Sequence, residues 1–305
     1  MNGVLVLDKP RGMTSFSVVA RVRKSLREKR VGHTGTLDPD ATGVLVVCLG
    51  EATKLVPFLQ DTDKEYLATV KLGVTTDTDD AGENAQVLHV ATEEQLAAVT
   101  EHRIVEALHL QVGRVLQKPP SYSALKIDGQ RLYDLSRSAH SAEAREQLDK
   151  DVSQKARLVD IYDVQVKNME REGPFPLVTF QVHCGKGTYI RSMARILGEA
   201  LGVGGHLIAL QRLRVGGFTL EHAIPLDDLT QRIPFSMAQA IAHLPSLHVS
   251  HDIALRIKQG HKNTVSALPL PTDSTASPLA IFDEQNQLVA ILSHTQNTWH
   301  IARGF

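Results

Sequence analysis

Asp38 lies in a turn directly before a short apolar run, and a carboxylate in that setting can act as a nucleophile or a general base. The run Gly43–Leu49 is branched-aliphatic and predicts a buried strand. Gly35 and Pro39 predict a tight loop before that strand. Polar groups on loops that are braced by strands often carry out chemistry, although an isolated Asp-Pro pair is usually only a turn residue.

Apolar spacing predicts the elements that must position this loop. A strand is expected at Val4–Leu7, and Thr14 or Ser15 can cap a helix with apolar residues at helical spacing. Alternation predicts half-buried strands at Tyr66–Leu72 and Leu177–His183.

A second helix is expected at Thr188–Leu201, with Arg191 in its first turn and off the apolar stripe. Residues 137–156 are polar and predict an exposed helical arm. Beyond Pro245 the pattern predicts a helix at His251–Gln259, a polar stretch, and strands near 279–282 and 288–292.

Length and composition are those of a globular protein that can bury a full core. The chain has 305 residues, of which 42% are hydrophobic and 22% are charged. No apolar stretch approaches the length needed to span a bilayer, and no secretory leader pattern is found. We therefore expect a cytoplasmic protein without membrane contact. Cys48 and Cys184 lie in strand-like contexts that favour buried free thiols over a disulfide or a zinc site.

Positive charge is concentrated in two segments although the formal net charge is −1. Residues 1–35 carry eight Lys or Arg against two acidic residues, and residues 186–214 carry five against one. Residues 77–106 instead carry eight acidic residues against one Arg. Such segregation favours phosphate contact on one face, although a solvated helix face would also account for the first cluster.

We expect neither a cofactor nor a metal. Residues 202–206 read GVGGH but lack the preceding strand and the full pattern of a dinucleotide-binding loop. The acidic residues from Asp77 onwards resemble a calcium loop only superficially, because Leu88 stands where the bidentate acid is required.

Several short motifs occur in a fixed order along the chain. Around Asp38 the motif is HTGTLDP (33–39), followed by Ala41, Gly43 and Leu45. The others are GVLVLDKP (3–10), KEY (64–66), TDT (76–78), PSYSALK (120–126), GTYIR (187–191) and LQRL (210–213). Together they resemble the TruB family of tRNA pseudouridine synthases over residues 3 to about 220.

The resemblance implies an α+β fold, with a mixed, mainly antiparallel sheet, flanking helices and a central RNA-binding cleft. It implies a catalytic domain over residues 1–246, with an RNA-contacting insertion at about 124–156. Residues 247–305 resemble a small β-rich PUA-like domain, and the match is looser there. The implied partner is the T stem-loop of tRNA, and we expect a monomer with no obligate protein partner.

Pseudouridine formation breaks the uracil N1–C1′ bond, turns the base over and rejoins it through C5. The resemblance makes Asp38 the essential aspartate, which can capture C1′, add to C6, or remove a ribose proton on a glycal route. All three routes stay open at this point. Each needs an ionised carboxylate shielded from water, and the resemblance gives the compensating positive charge to Arg191. Tyr66 is implied as the stacking surface for the base and a candidate to assist proton removal from C5.

The resemblance also implies binding roles for three further residues. Tyr189 and Leu210 become walls of the nucleotide pocket, although both are ordinary core candidates. His33 supports the nucleotide that must leave its stack before reaction. The sequence departs from the family pattern at Asp80, where the following glycine comes one residue early, so we give Asp80 no catalytic role.

Three functions follow from these observations. The first is isomerisation of one uridine in the T loop of tRNA, at position 55 by resemblance. The second keeps the chemistry on a guide-dependent RNA, which the absence of long basic tails disfavours. The third is an RNA-folding protein in which modification is secondary, and an Asp38→Asn variant separates it from an enzyme.

Overall fold

The computed structural model describes residues 1–83, 85–122, 126–127, 130–132, 135, 141–229, 233–272 and 275–305. It divides into two compact units. The first unit comprises Met1–Pro39, Gly43–Thr62 and Gly216–Phe305, and the second comprises Asp40–Thr42 and Asp63–Val215.

The strands of the described residues are β1 (Gly3–Lys9), β2 (Val31–His33), β3 (Thr42–Leu49), β4 (Lys64–Leu72), β5 (Val74–Thr76), β6 (Val87–Val90), β7 (Gly113–Gln117), β8 (Lys126–Ile127), β9 (Gln130–Arg131), β10 (Arg157–Glu172), β11 (Phe175–Cys184), β12 (Gly205–Val215), β13 (Phe218–Thr219), β14 (Ile224–Pro225), β15 (Ser246–His248), β16 (Leu279–Phe282), β17 (Leu288–Thr295) and β18 (Thr298–Gly304). The α-helices are Ser15–Leu26, Val56–Gln60, Glu93–Ala97, Glu101–His109, Ala142–Gln154, Ile190–Leu201, Met237–Ala240, His251–Lys258 and Lys262–Ser266, and the 3₁₀ helices are Gly50–Leu55, Leu220–His222 and Leu226–Asp228.

In the first unit, β1 pairs with β3 in antiparallel register and with β14 in parallel register, while β2 pairs with the end of β3. Helix Ser15–Leu26 begins where the Thr14 hydroxyl accepts a hydrogen bond from the Ser17 amide, as an N-cap does. Its apolar stripe packs against β1 and β3 in one buried cluster that includes Leu5, Val19 and Val47. This packing fixes the loop between β2 and β3, which carries Asp38.

Residues 246–305 of the first unit form a separate sheet in the order β15-β16-β17-β18. Apart from the parallel β15–β16 pair, its strands are antiparallel. Helix His251–Lys258 packs on this sheet through Ala254 and Ile257, which share a buried cluster with Leu292. The β-rich character expected for the C-terminal part is therefore present, whereas the PUA-like assignment and the boundary at residue 246 stay predictions.

The second unit contains antiparallel pairs that give the order β12-β4-β11-β10-β7. Alternate residues of β4 and β11 point into one core, where Val70 and Phe180 meet helices Ile190–Leu201 and Glu101–His109. The expected α+β class, with mainly antiparallel strands and flanking helices, is confirmed.

Most locally predicted elements are confirmed, with shifts at their ends. The second predicted helix begins at Ile190 rather than Thr188, because Tyr189 still has extended backbone angles. The polar stretch after residue 260 begins with helix Lys262–Ser266, since Val265 is buried. Both cysteines are free and buried, as predicted, and burial raises the pKa of Cys48 to about 12.

The predicted insertion at 124–156 falls partly outside the described residues. Its described part contains strands β8 and β9 and helix Ala142–Gln154, in which Val152 is buried beside Leu132. In the part of the chain that the structure describes, no helix is long and apolar enough to cross a membrane.

Candidate active site

The loop that carries Asp38 is held by hydrogen bonds on both sides of that residue. Ser15 Oγ donates to the Leu37 carbonyl (3.1 Å) and accepts from the Leu37 amide (2.9 Å). On the other side, the Gly12 amide donates to the Pro39 carbonyl over 2.9 Å. Because both flanking residues are anchored, the backbone of Asp38 has little freedom.

Lys9 is the third anchor of this loop. Its side chain is fully buried, at 0% exposure, and Nζ donates to the carbonyls of Pro10 and Pro39, each over 3.0 Å. A buried ammonium requires such acceptors, since an uncompensated charge in the interior is costly. Lys9 therefore has a structural role in holding this loop.

Asp38 and His33 are both half-buried. His33 ends β2, and its Nδ1 accepts a hydrogen bond from the Gly35 amide over 3.3 Å. In the neutral ring this bond leaves the proton on Nε2. His33 and Asp38 belong to the first unit, whereas Tyr66, Tyr189, Arg191 and Leu210 belong to the second.

Tyr66 and Leu210 lie on neighbouring strands and pack against the same core. On β4, Tyr66 is paired with Val182 of β11 on one side and with Arg212 of β12 on the other. Leu210 is paired with Ala68, two residues along β4, and both Tyr66 and Leu210 border the second unit's hydrophobic cluster. Both side chains are half-buried, so each combines a packed side with an accessible one.

Gln117 fixes the residue that precedes helix Ile190–Leu201. Its Nε2 donates to the Tyr189 carbonyl (3.0 Å), and its Oε1 accepts from the Tyr189 amide (2.7 Å). Gln117 is 2% exposed, so both bonds are shielded from water. The guanidinium of Arg157 lies over the Tyr189 ring, 5.1 Å from its centroid, as in a cation–π contact.

Arg191 is buried, although the helical pattern placed it off the apolar stripe. Its side chain is only 9% exposed because the loop 77–82 covers this part of the helix. Nη1 donates to the Thr78 carbonyl over 3.2 Å and lies 3.5 Å from Oδ2 of Asp80. Arg191 is therefore not a surface arginine, and its guanidinium is held in one place.

Asp80 contacts Arg191, although the sequence pattern assigned it no catalytic role. Its Oδ1 accepts from the Thr78 hydroxyl (2.7 Å) and the Gly82 amide (3.1 Å), so the second oxygen is free to face Arg191. The TDT motif was visible, but its contact with GTYIR joins residues far apart in sequence. The only available signal was the acidic run next to an arginine-bearing motif.

Asp79, the neighbour of Asp80, is also largely covered by this helix. Its Oδ2 lies 3.2 Å from Nε of Arg195, and Arg195 also contacts Glu199 (3.0 Å). Burial raises the pKa of Asp79 to about 6, despite the opposing effect of the positive charges of Arg195 and Arg191. Two consecutive acids thus contact two arginines that lie one helical turn apart.

The N-terminal basic cluster is partly used inside the protein. Arg21 pairs with Asp227, Arg30 pairs with Glu51, and Arg23 donates to the Val31 carbonyl (2.8 Å). Other members of the cluster are exposed: Lys24, Arg27 and Lys29. Arg21 and Arg30 are exposed as well, so their ion pairs neutralise part of the surface charge of this segment without removing the side chains from the surface.

Two family models match consecutive parts of the chain. Residues 23–190 match the TruB family pseudouridylate synthase N-terminal domain, and residues 191–244 match the tRNA pseudouridylate synthase B C-terminal domain. Together the matches include Asp38, Tyr66, Arg191 and Leu210.

Relatives named tRNA pseudouridine synthase B extend the similarity to almost the whole chain. The chain is 41% identical to tRNA pseudouridine synthase B of Arthrobacter sp. (strain FB24), over 96% of this chain and 93% of the relative. It is 39% identical to the enzyme of the same name from Syntrophotalea carbinolica, over 95% and 89%. Among solved structures, it resembles a chain of an H/ACA RNP bound to a substrate RNA containing 2'-deoxyuridine, with a TM-score of 0.67, 27% identity, and coverage of 98% and 82%.

Proposed function

Because the chain belongs to the TruB family of pseudouridine synthases, we propose that it isomerises a uridine in the T loop of tRNA, at position 55. The relatives that are called tRNA pseudouridine synthase B match nearly all of this chain, which supports tRNA as the substrate. The observation that carries the proposal is the Asp38 loop, which Ser15, Gly12 and Lys9 hold in one conformation.

In this proposal Asp38 is the essential carboxylate. The reaction breaks the N1–C1′ bond, forms a C5–C1′ bond, moves a proton off C5 and returns one to N1, so substrate and product have the same atoms. No redox partner or group donor enters that balance. A carboxylate that two anchored neighbours hold in place loses little entropy on reaching the reacting atoms.

The proposal gives supporting roles to the other five residues. Arg191 supplies the positive charge that the family resemblance pairs with the aspartate, and its own burial keeps that charge in a fixed position. Tyr66 stacks on the target base and assists removal of the C5 proton, which suits a phenol at the edge of a packed core. Tyr189 and Leu210 line the nucleotide pocket, and His33 fills the space that the flipped nucleotide leaves.

We also propose that residues 1–246 form the catalytic domain, with residues 247–305 as a PUA-like domain. The separate sheet and the separate buried cluster of the C-terminal residues support this division. Exposed cations of the N-terminal cluster, including Lys24 and Lys29, would contact tRNA phosphates. A monomer acting on tRNA in the cytoplasm is the setting that this assignment implies.

The test is a purified-enzyme assay on an unmodified tRNA transcript, with tritium release from C5 and mapping of the modified nucleotide. The wild type is expected to modify one uridine, in the T loop, without added nucleotide or metal. Asp38→Asn should form no measurable pseudouridine while its tRNA affinity stays within about twofold, because the exchange removes a charge and keeps the shape.

Asp40→Asn is the matched control, since Asp40 is an exposed acid two residues further along the same segment. It should keep most of the wild-type rate. Modification of a uridine outside the T loop would overturn the substrate assignment. Activity of the Asp38→Asn variant would overturn the assignment of the essential carboxylate.

A further inference from the structure

Asp79 is a largely buried acid for which the proposed chemistry has no use. Its side chain is 14% exposed, and its Oδ2 binds Nε of Arg195 at 3.2 Å. The next residue, Asp80, faces Arg191 at 3.5 Å. Arg191 and Arg195 are four residues apart on helix Ile190–Leu201, so their side chains leave the same face of the helix.

The backbone around Asp79 is as constrained as its side chain. Asp79 has φ of 58°, which lies in the left-handed region that residues other than glycine rarely adopt. Its carbonyl accepts from the Leu207 amide (3.0 Å), and the Ala81 amide donates to the Leu207 carbonyl (2.9 Å). The loop 77–82 is thus tied to β12 by backbone hydrogen bonds and to the helix by the Asp79 side chain.

Arg195 makes two further contacts that hold its guanidinium in place. Its Nη2 donates to the Lys118 carbonyl (3.4 Å) and its Nη1 lies 3.0 Å from Glu199. Glu199 is 59% exposed, so it is the solvent-facing partner, whereas Asp79 is the buried one. Removing Asp79 would therefore release the loop without freeing Arg195 completely.

We propose that Asp79 is a positioning residue, which binds Arg195 to fix the loop 77–82 on helix Ile190–Leu201 and so holds the Asp80 carboxylate against the Arg191 guanidinium. The inference rests on the proposed function, because it assigns a purpose to the placement of Arg191. Burial penalises the charged form of Asp79, as its raised pKa shows. Because burying the charged form costs free energy, the presence of this acid indicates a role in function more than a role in stability.

The main test is Asp79→Asn, which removes the charge, keeps the side-chain size and suits a left-handed backbone. In single-turnover assays at pH 7.5 we expect the rate constant of pseudouridine formation to fall by about tenfold or more. The tRNA dissociation constant should change by less than about twofold, and the unfolding temperature should not fall.

A double-variant cycle tests whether the ion pair is the active unit. Arg195→Gln should lower the single-turnover rate by about as much as Asp79→Asn, and the double variant should be no slower than either single variant. Glu199→Gln is the matched control, because it removes only the exposed contact of Arg195. Its rate should stay within about twofold of the wild type.

The pH dependence of the single-turnover rate separates a positioning role of Asp79 from a purely structural one. The charged groups that face Asp79 are Arg195, Arg191 and Glu199. As pH is lowered through about 6, Asp79 takes up a proton and loses its ionic bond to Arg195. The wild-type rate should fall there, whereas Asp79→Asn should lack this step.

A wild-type rate for Asp79→Asn, or additive effects in the cycle, would overturn the proposal. If Asp79→Asn does not fold, the test uses Asp79→Gly, which also suits positive φ, and Arg195→Gln. Failure of all three variants to fold would show that Asp79 is needed for folding and is not a positioning residue. Asp38→Asn in the same assay separates the two hypotheses. An active Asp38→Asn variant defeats the proposed function, whereas an inactive one beside a fully active Asp79→Asn variant defeats only this inference.

Discussion

The hydroxyl of Ser15 makes two hydrogen bonds to a single residue, Leu37, as donor to its carbonyl (3.1 Å) and as acceptor from its amide (2.9 Å). Ser15 is the first residue of helix Ser15–Leu26, and Leu37 is the residue before Asp38. Both are buried, so water cannot replace either bond. The position of the proposed essential carboxylate is therefore set by the start of a helix that is distant in sequence.

Ser15→Ala is expected to lower the free energy of unfolding by about 1–3 kcal/mol, because it leaves the buried amide and carbonyl of Leu37 unpaired. It should also lower the turnover number while the KM for tRNA changes little, since the loop becomes mobile but the RNA-binding residues remain. Urea denaturation and steady-state kinetics measure the two effects. Ser17→Ala is the control, because the Ser17 hydroxyl makes only an exposed bond, to Thr14. Equal behaviour of the two variants would contradict the role given to Ser15.

Gln117→Leu is expected to cost about 2–4 kcal/mol of stability, since it removes both partners of the Tyr189 backbone in a buried place. The start of helix Ile190–Leu201 should become mobile, and Arg191 with it, so the single-turnover rate should fall as well. Gln165→Leu, at an exposed position of β10, is the matched substitution and should be nearly neutral. A Gln117→Leu protein as stable as the control would show that the two bonds contribute little.

Gly198→Ala tests the close approach of helix Ile190–Leu201 to the start of β12. A Cβ at Gly198 would lie 2.1 Å from the carbonyl carbon of Gly204 and 2.2 Å from the amide nitrogen of Gly205. Backbone atoms must move to admit it, so we expect a loss of about 1–3 kcal/mol or more in chemical denaturation. Gly217→Ala is the control, because a Cβ there meets no atom within 4 Å. A stable Gly198→Ala protein would mean that the helix can move away at no cost.

The stability difference between wild type and Asp79→Asn should depend on pH with a definite sign. Folding raises the pKa of Asp79 from 3.8 to about 6, so the folded state holds this proton more tightly than the unfolded state. The stabilising effect of that proton is complete below pH 3.8 and is lost as pH rises through about 6. By pH 8 the loss amounts to about 3 kcal/mol, at about 1.4 kcal/mol for each pKa unit.

Asp79→Asn lacks this titration, so it should gain stability relative to the wild type between pH 4 and pH 8. Urea unfolding at several pH values would measure the change, with Asp160→Asn as the exposed control. A difference that does not vary with pH, or that varies in the opposite direction, would show that Asp79 is not buried as a costly acid.

Much of the scaffold follows from local sequence pattern. The strands β4 and β11 and the helix Ser15–Leu26 were predicted because their apolar residues repeat at the period of the element that they form. Strand β1 was predicted from a short continuous apolar run. In contrast, β10 was not predicted. Its register shifts near residues 161–163 and 166–168, which breaks the alternation that would have identified it.

The details of the site were harder to predict than the elements. The pairs Asp80–Arg191 and Asp79–Arg195 join residues more than a hundred positions apart, and neither pattern nor propensity specifies such a pair. Gln117 lies 72 residues from Tyr189 and looks like any polar residue at a strand end. Such contacts depend on how separate elements pack, which local sequence does not encode.

The end of β7 is paired with the start of β10, since Gln117 pairs with Arg157 and Leu116 with Leu158. Residues 118–156 thus connect two strands that are paired with each other where this connection begins and ends. Doubling the length of such a connection costs only about 0.6 kcal/mol in loop-closure entropy. Changes of length in this segment therefore cost little, provided that Lys118, whose carbonyl binds Ser192 and Arg195 of the helix that carries Arg191, keeps its place.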